Sequence, residues 1–150
     1  LSGSQGCGKT TIANILTGSY NFSTREYKMT LGVDVFEKRF TMGDRYVDVL
    51  LVDTSGHQLY SWLVDRVCDT DGIFVFCFDS TDKQSFDALE RIVNNTTVKT
   101  GVVVGCKWDL TMRQVIPLDI AEQFAAHNNM QFISASAVSI SEISSLFYRI

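Results

Sequence analysis

Residues 3–10 read Gly-Ser-Gln-Gly-Cys-Gly-Lys-Thr and meet the pattern G-x-x-x-x-G-K-[ST] at each fixed position. Few short patterns constrain a fold so tightly. A strand must lead in, glycines must let successive backbone N–H groups curl around an anion, and a helix must start directly behind with its positive end toward that anion. Lys9 can reach the β- and γ-phosphates of a nucleotide, and the Thr10 hydroxyl can ligate a magnesium ion bridging them. The loop predicts a nucleoside triphosphate site; it selects neither the base nor the reaction.

The 150 residues suit one domain, long enough to bury roughly two thirds of the surface its unfolded chain exposes. Hydrophobic residues make up 45% and charged residues 20%, which excludes a disordered chain. With a net charge of −4 and no basic stripe, no nucleic acid is expected as a partner. Cys7, Cys68, Cys77 and Cys106 lie far apart, in neither a metal spacing nor a disulfide framework, so a reducing, cytoplasmic compartment fits. No apolar run is long enough to span a bilayer and no signal peptide, myristoyl glycine or prenylation cysteine is visible, so no direct membrane anchor is expected in this chain. Only Leu1 and Ser2 precede the loop, and the last helical pattern stops at Ile150 without a cap. The expectation is a single domain over 1–150 that lacks most of its first strand and its C-terminal tail.

Behind the loop, Ile12, Ile15 and Leu16 share one face of a helix ending near Gly18. Residues 19–29 are polar with scattered aromatics, a long exposed loop. A strand from Val33 to about Thr41, a Gly43-Asp44 turn and a strand from Tyr46 to Val52 predict an antiparallel hairpin at the sheet edge. The apolar runs 72–78 and 101–105 look like parallel strands buried on both faces. Between them Thr81 or Asp82 can cap a helix carrying Phe86, Leu89, Ile92 and Val93. Pro117 opens a helix with Ile120, Phe124 and Ala125 inward, Phe132-Ile133 is a short strand, and Ile143, Leu146, Phe147 and Ile150 mark a last helix. Strand and helix alternate throughout. The fold class is α/β: a three-layer phosphate-loop fold with a mainly parallel six-stranded sheet, one antiparallel edge strand and helices on both faces.

Four further segments fall at strand ends, where open α/β sheets bind ligands. Asp53-Thr54-Ser55-Gly56 closes a strand; Asp53 can anchor the magnesium shell, and Gly56 lets its N–H approach a γ-phosphate with no side chain between. An isolated Asp-x-x-Gly is more often a simple turn, but a preceding phosphate loop and strand reverse that preference. Cys106-Lys107-Trp108-Asp109 follows another buried strand. The Asp109 carboxylate can accept from N1–H and the 2-amino group of guanine, donors that adenine lacks, while the Lys107 methylenes lie against the base; the bland alternative is a solvated surface loop. Ser136 and Ala137 can bring small residues and a backbone N–H to the base edge. Thr30 can ligate magnesium through its hydroxyl and the γ-phosphate through its N–H, which orders the preceding loop only with triphosphate.

Together these motifs, in this order and spacing, resemble a Ras-superfamily small GTPase across nearly the whole chain. Thr30-Leu31-Gly32-Val33-Asp34 is most similar to the Rab branch. Tyr27-Lys28-Met29-Thr30, Asp53-Thr54-Ser55-Gly56 with Leu59-Tyr60, and Phe147-Tyr148-Arg149 are similar to Rab-like GTPases of intraflagellar transport. The resemblance implies GTP/GDP and Mg2+ as cofactors. Gly3, Ser4, Gln5, Gly6, Cys7, Gly8, Lys9, Thr10, Thr11, Thr30 and Gly56 would surround the phosphates, and Cys106, Lys107, Asp109, Ser136 and Ala137 the base. Thr10, Thr30 and Asp53 would hold the metal, and Lys9, Thr30, Gly56 and His57 would carry the slow hydrolysis. An effector or complex subunit would read the switch segments, with the cytoplasm, cilium or flagellum as the address and, in the intraflagellar case, a further subunit on the C-terminal part.

The chain departs from that pattern at several points. His57 stands where most of the family has the glutamine that orients the attacking water, and a rigid imidazole replaces a flexible amide. Gln58 could substitute by a one-residue shift. Gln5 replaces a small residue and could crowd an arginine supplied by an activating protein. Cys106 replaces an asparagine and cannot make its paired bonds, and Val138 replaces a lysine stem over the base. These changes predict a slow switch with looser nucleotide binding, or a nucleotide-binding structural subunit with negligible hydrolysis. An adenine-specific phosphate-loop kinase is disfavoured by Asp109. Trp62 is expected to pack its helix onto the sheet, and Trp108 falls at the variable position beside the base pocket.

Overall fold

The computed structural model describes residues 1–20, 28–60, 62–63, 66, 72–96 and 100–139. Strand β1 (Ser2–Gly3) enters the phosphate loop, and α1 (Lys9–Thr17) leaves it. Helix α1 stops at Gly18, whose φ of 78° is the left-handed conformation of a glycine C-cap. Strands β2 (Val33–Met42) and β3 (Arg45–Thr54) form an antiparallel hairpin around Gly43-Asp44, in full register from Val33 opposite Thr54 to Met42 opposite Arg45. The two-residue turn with a glycine at φ 61° matches the twist such hairpins need.

Strand β4 (Phe74–Asp79), helix α2 (Lys83–Asn95), strand β5 (Gly101–Cys106), helix α3 (Leu118–His127) and strand β6 (Gln131–Ser134) complete the described elements. The Asp82 carboxylate caps α2 by accepting from the Gln84 N–H at 2.9 Å. Strands β1, β4, β5 and β6 pair in parallel in that order. Six strands are present among the described residues, yet in place of the single six-stranded sheet expected they divide into this four-stranded sheet and the β2–β3 hairpin. Leu1 links the two: its nitrogen donates to the Val52 carbonyl (2.7 Å) and its carbonyl accepts from the Thr54 N–H (3.2 Å).

The parallel sheet is covered on both faces, which explains its unbroken apolar strands. Val75 and Cys77 of β4 with Val102 and Val104 of β5 meet Ile12, Ile15 and Leu16 of α1 on one side. Phe76, Phe78 and Val103 meet Phe86 and Leu89 of α2 and Ala121 and Ala125 of α3 on the other. Phe78 is fully buried with the Phe86 ring edge-on at 4.9 Å; emptying that site would cost about 3–5 kcal/mol. Two inward assignments need correction. Ile120 is 43% exposed, because the α3 stripe facing the sheet runs through Ala121 and Ala125, small enough for the helix to sit close. Trp62 is 63% exposed, like Leu59 nearby in sequence at 73%, and belongs to neither core cluster. The proposed last helix and Cys68 lie outside the described residues. No described helix is long and apolar enough to cross a membrane.

Candidate functional site

The loop between β1 and α1 lines a cleft of about 480 Å³ together with residues 28–30, Thr54–Gly56 and Lys107. Gly8, at φ 116°, caps α1 in a conformation that side chains rarely adopt, and a Cβ there would lie 3.3 Å from the Cys106 sulfur. Lys9 is buried, its ammonium donating to the carbonyls of Gly3 (2.9 Å) and Ser4 (2.8 Å), so the stem is held rigidly across the loop mouth. Ser4 is fixed from behind by a 2.6 Å hydroxyl bond to Ser85 of α2. Gly3 and Cys7 are not exposed in the cleft: Cys7 is buried beneath it, and burial pushes its thiol up to about 11.

Three oxygen-bearing residues meet at the head of α1. The Thr10 hydroxyl donates to Asp53 Oδ2 at 2.5 Å and lies 3.0 Å from the Thr30 hydroxyl, which is itself 3.4 Å from the same carboxylate oxygen. Thus α1, the segment before β2 and the end of β3 converge on one point. Asp53 is fully buried, and its Oδ1 has no hydrogen-bond partner. Burial raises its pKa, against the bond from Thr10 and the field of Lys9. A hard divalent cation suits this set: it takes oxygen ligands, and it would relieve the unpaired buried oxygen. The described residues contain no cluster of three His, Cys, Asp or Glu side chains, so phosphate and water oxygens would complete the shell.

Gly56 packs directly on the phosphate-loop backbone, where a Cβ would collide with the Gln5 nitrogen and the Ser4 carbonyl carbon. The neighbouring Ser55 N–H donates to the Gly32 carbonyl at 2.8 Å, joining this turn to the segment that carries Thr30. His57 does not line the cleft. Its Nδ1 accepts from the Leu59 N–H at 3.2 Å and its ring stands edge-on to Tyr60 at 6.5 Å, so it serves as the cap of a single 3-10 turn at Gln58–Tyr60. Gln5 reaches over the cleft instead, its amide donating to the Met29 sulfur at 3.3 Å. The side chain of Gln58 lies outside the described residues.

At the other end, Lys107 lines the cleft from a left-handed turn (φ 58°) and forms a 2.5 Å ion pair with Asp79. Burial raises the Asp79 pKa, but the bonds from Lys107 and Thr81 outweigh it, so the carboxyl is held below its usual range. The Asp109 carboxylate accepts from the Ser136 hydroxyl at 2.7 Å, and Ser136 Oγ in turn accepts from the Val138 N–H at 3.1 Å. The β6 end thus aims the carboxylate of the β5 loop. Ala137 follows, half-buried against the α1-side core. Cys106 is buried behind Gly8, and a bond to Cys77 together with burial raises its thiol pKa well above the ordinary value. The Trp108 indole packs over Gly105 and edge-on to Phe132 at 5.3 Å.

Of the sequence candidates, Gln5, Gly6, Gly8, Lys9, Thr10, Thr11, Thr30, Gly56 and Lys107 share the cleft wall. Asn14, Ser19, Tyr20, Lys28 and Met29 also line it, though none of them is a sequence candidate for the site. Their only signal is position: one further turn of α1, and the run just before Thr30. The fold and the glycine-rich turn make this a phosphate-loop α/β protein. A profile of the Ras family matches residues 1–150, and the chain belongs to that family. It is 27% identical over 154 residues to GTP-binding protein YPT1 of Saccharomyces cerevisiae, covering 98% of this chain and 73% of that one. It is also 27% identical over 144 residues to the intraflagellar transport protein 27 homolog of Mus musculus, covering 91% and 77%, and 26% identical to that of Bos taurus over the same shares. Within the Ras family it is Rab-like.

Proposed function

We propose that residues 1–150 form a G domain that acts as a slow GTP/GDP switch in intracellular transport, with magnesium bound at Thr10, Thr30 and Asp53. The observation that carries this reading is the convergence of those three residues. It couples the phosphate loop directly to residues 30–33, so that the third phosphate and its cation can govern the segment carrying the exposed Leu31. Leu31, Leu59 and Trp62 are each more than 60% exposed and offer apolar anchors to a protein partner. Asp109, aimed by Ser136, selects guanine. The named resemblance to intraflagellar transport protein 27 homologs supports a ciliary transport complex as the setting.

Hydrolysis rests on Lys9, the loop N–H groups and the metal, with Thr30 and Gly56 near the γ-phosphate. The single-turnover rate is expected at or below about 3–5 × 10⁻⁴ s⁻¹, the intrinsic rate of Ras itself. A faster rate that disappears in His57→Ala would overturn this. The nucleotide that co-purifies, identified by chromatography with its phosphate count, tests the site as a whole: guanine nucleotide is expected, adenine nucleotide would refute it. The capping role of His57 favours a second reading, a structural subunit that binds nucleotide with negligible hydrolysis. A partner binding the GDP and GTP forms equally would decide for that reading.

A further inference from the structure

We infer that Lys28 is a recognition residue for the third phosphate, supplied by the chain itself from the segment facing the phosphate loop. This rests on the guanine-nucleotide reading above and adds a residue to it.

The cleft is charged against the trend of the molecule. The protein carries a net charge of −4, yet the cleft wall holds Lys9, Lys28 and Lys107 and no Asp or Glu. Two of these cations are already engaged, Lys9 by the carbonyls of Gly3 and Ser4 and Lys107 by Asp79. Lys28 is exposed at the cleft mouth, and no carboxylate among the described residues pairs with it. Its position along the cleft follows from its neighbours. Met29 receives the Gln5 amide from the phosphate loop, and Thr30 touches Thr10 and Asp53 at the metal end. Two residues span at most about 7 Å of extended chain, so the Lys28 backbone stays within that reach of Thr30. A four-carbon stem then carries an ammonium to anions at the metal end, whereas the base end is marked by Lys107, Asp109 and Ser136. An ammonium placed there interacts with a third phosphate and much less with the first two, which lie along the loop N–H groups.

The test is titration of wild type, Lys28→Ala and Lys28→Arg with magnesium and fluorescent GDP or a non-hydrolysable GTP analogue. Lys28→Ala is expected to weaken the triphosphate about tenfold and the diphosphate less than about twofold, the difference being one charge-assisted bond. Lys28→Arg keeps the cation and retains most of the triphosphate affinity. Equal weakening of both nucleotides, or no weakening, overturns the inference. Wild type that binds neither nucleotide overturns the guanine-nucleotide reading instead, so the two failures are distinct.

Discussion

At the phosphate end of the cleft most contacts involve the main chain: the Lys9 ammonium on two loop carbonyls and Gly56 against the Gln5 backbone, beside two threonine hydroxyls on one carboxylate. At the end proposed for the base, the loops after β5 and β6 meet through side-chain pairs, Lys107 on Asp79 and Asp109 on Ser136, and a cysteine replaces the family's asparagine behind Gly8. The first end tolerates little variation because main-chain geometry is its ligand. The second can lose a contact and keep its shape. Weak points in nucleotide binding therefore belong at the base end, and the comparison can be broken by exchanging side chains at each end in turn.

The largest effect is expected from Lys9→Ala, which removes the buried ammonium from the phosphate end and weakens GDP and GTP by about a hundredfold or more in equilibrium titration. Asp109→Ala should cost about 2 kcal/mol of guanine-nucleotide affinity and narrow the preference for GDP over ADP in competition. If the base-end substitution proves as damaging as Lys9→Ala, the two ends are not energetically unequal. Cys106→Asn restores an amide at the base end and should tighten fluorescent GDP by about 1 kcal/mol. A sub-nanomolar wild-type affinity would remove the premise that this end is loosened.

The smallest effect concerns stability. The Asp53 pKa is raised on folding, so the folded state holds its proton more tightly, and the associated stability is lost as pH rises through the folded value. At neutral pH Asp53→Asn should therefore raise Tm in magnesium-free buffer, by about 2–4 °C for each kcal/mol recovered, while nucleotide affinity loses its magnesium dependence. A lower Tm would show that the carboxylate is already well accommodated.

Much of the phosphate end was legible in the sequence, because its determinants are local. The loop pattern locates Lys9 and Thr10, and the ends of two strands locate Asp53 and Thr30. The hairpin register followed from Gly43-Asp44. What escaped depends on side-chain packing and bonding that no residue pattern encodes. Ile120 satisfies a helical period as well as Ala121 does, and only the close approach of α3 to the sheet decides between them. Trp108, at the variable position beside the base pocket, gives no sign in the sequence that its ring lies over Gly105 and against Phe132. Lys28 sits in a polar run without periodicity, and nothing in the sequence reveals the bond that His57 Nδ1 accepts from the Leu59 N–H.

The contact of Gly56 with the Gln5 backbone has a mechanical consequence. Gln5 also reaches Met29, and Ser55 next door holds Gly32, so three separated stretches of chain are tied to one close contact. A latch of that kind responds to displacement rather than charge. Even a methyl group at position 56 would act as a wedge against the Gln5 backbone, forcing this turn and the phosphate loop apart although every side-chain hydrogen bond of the site is left in place.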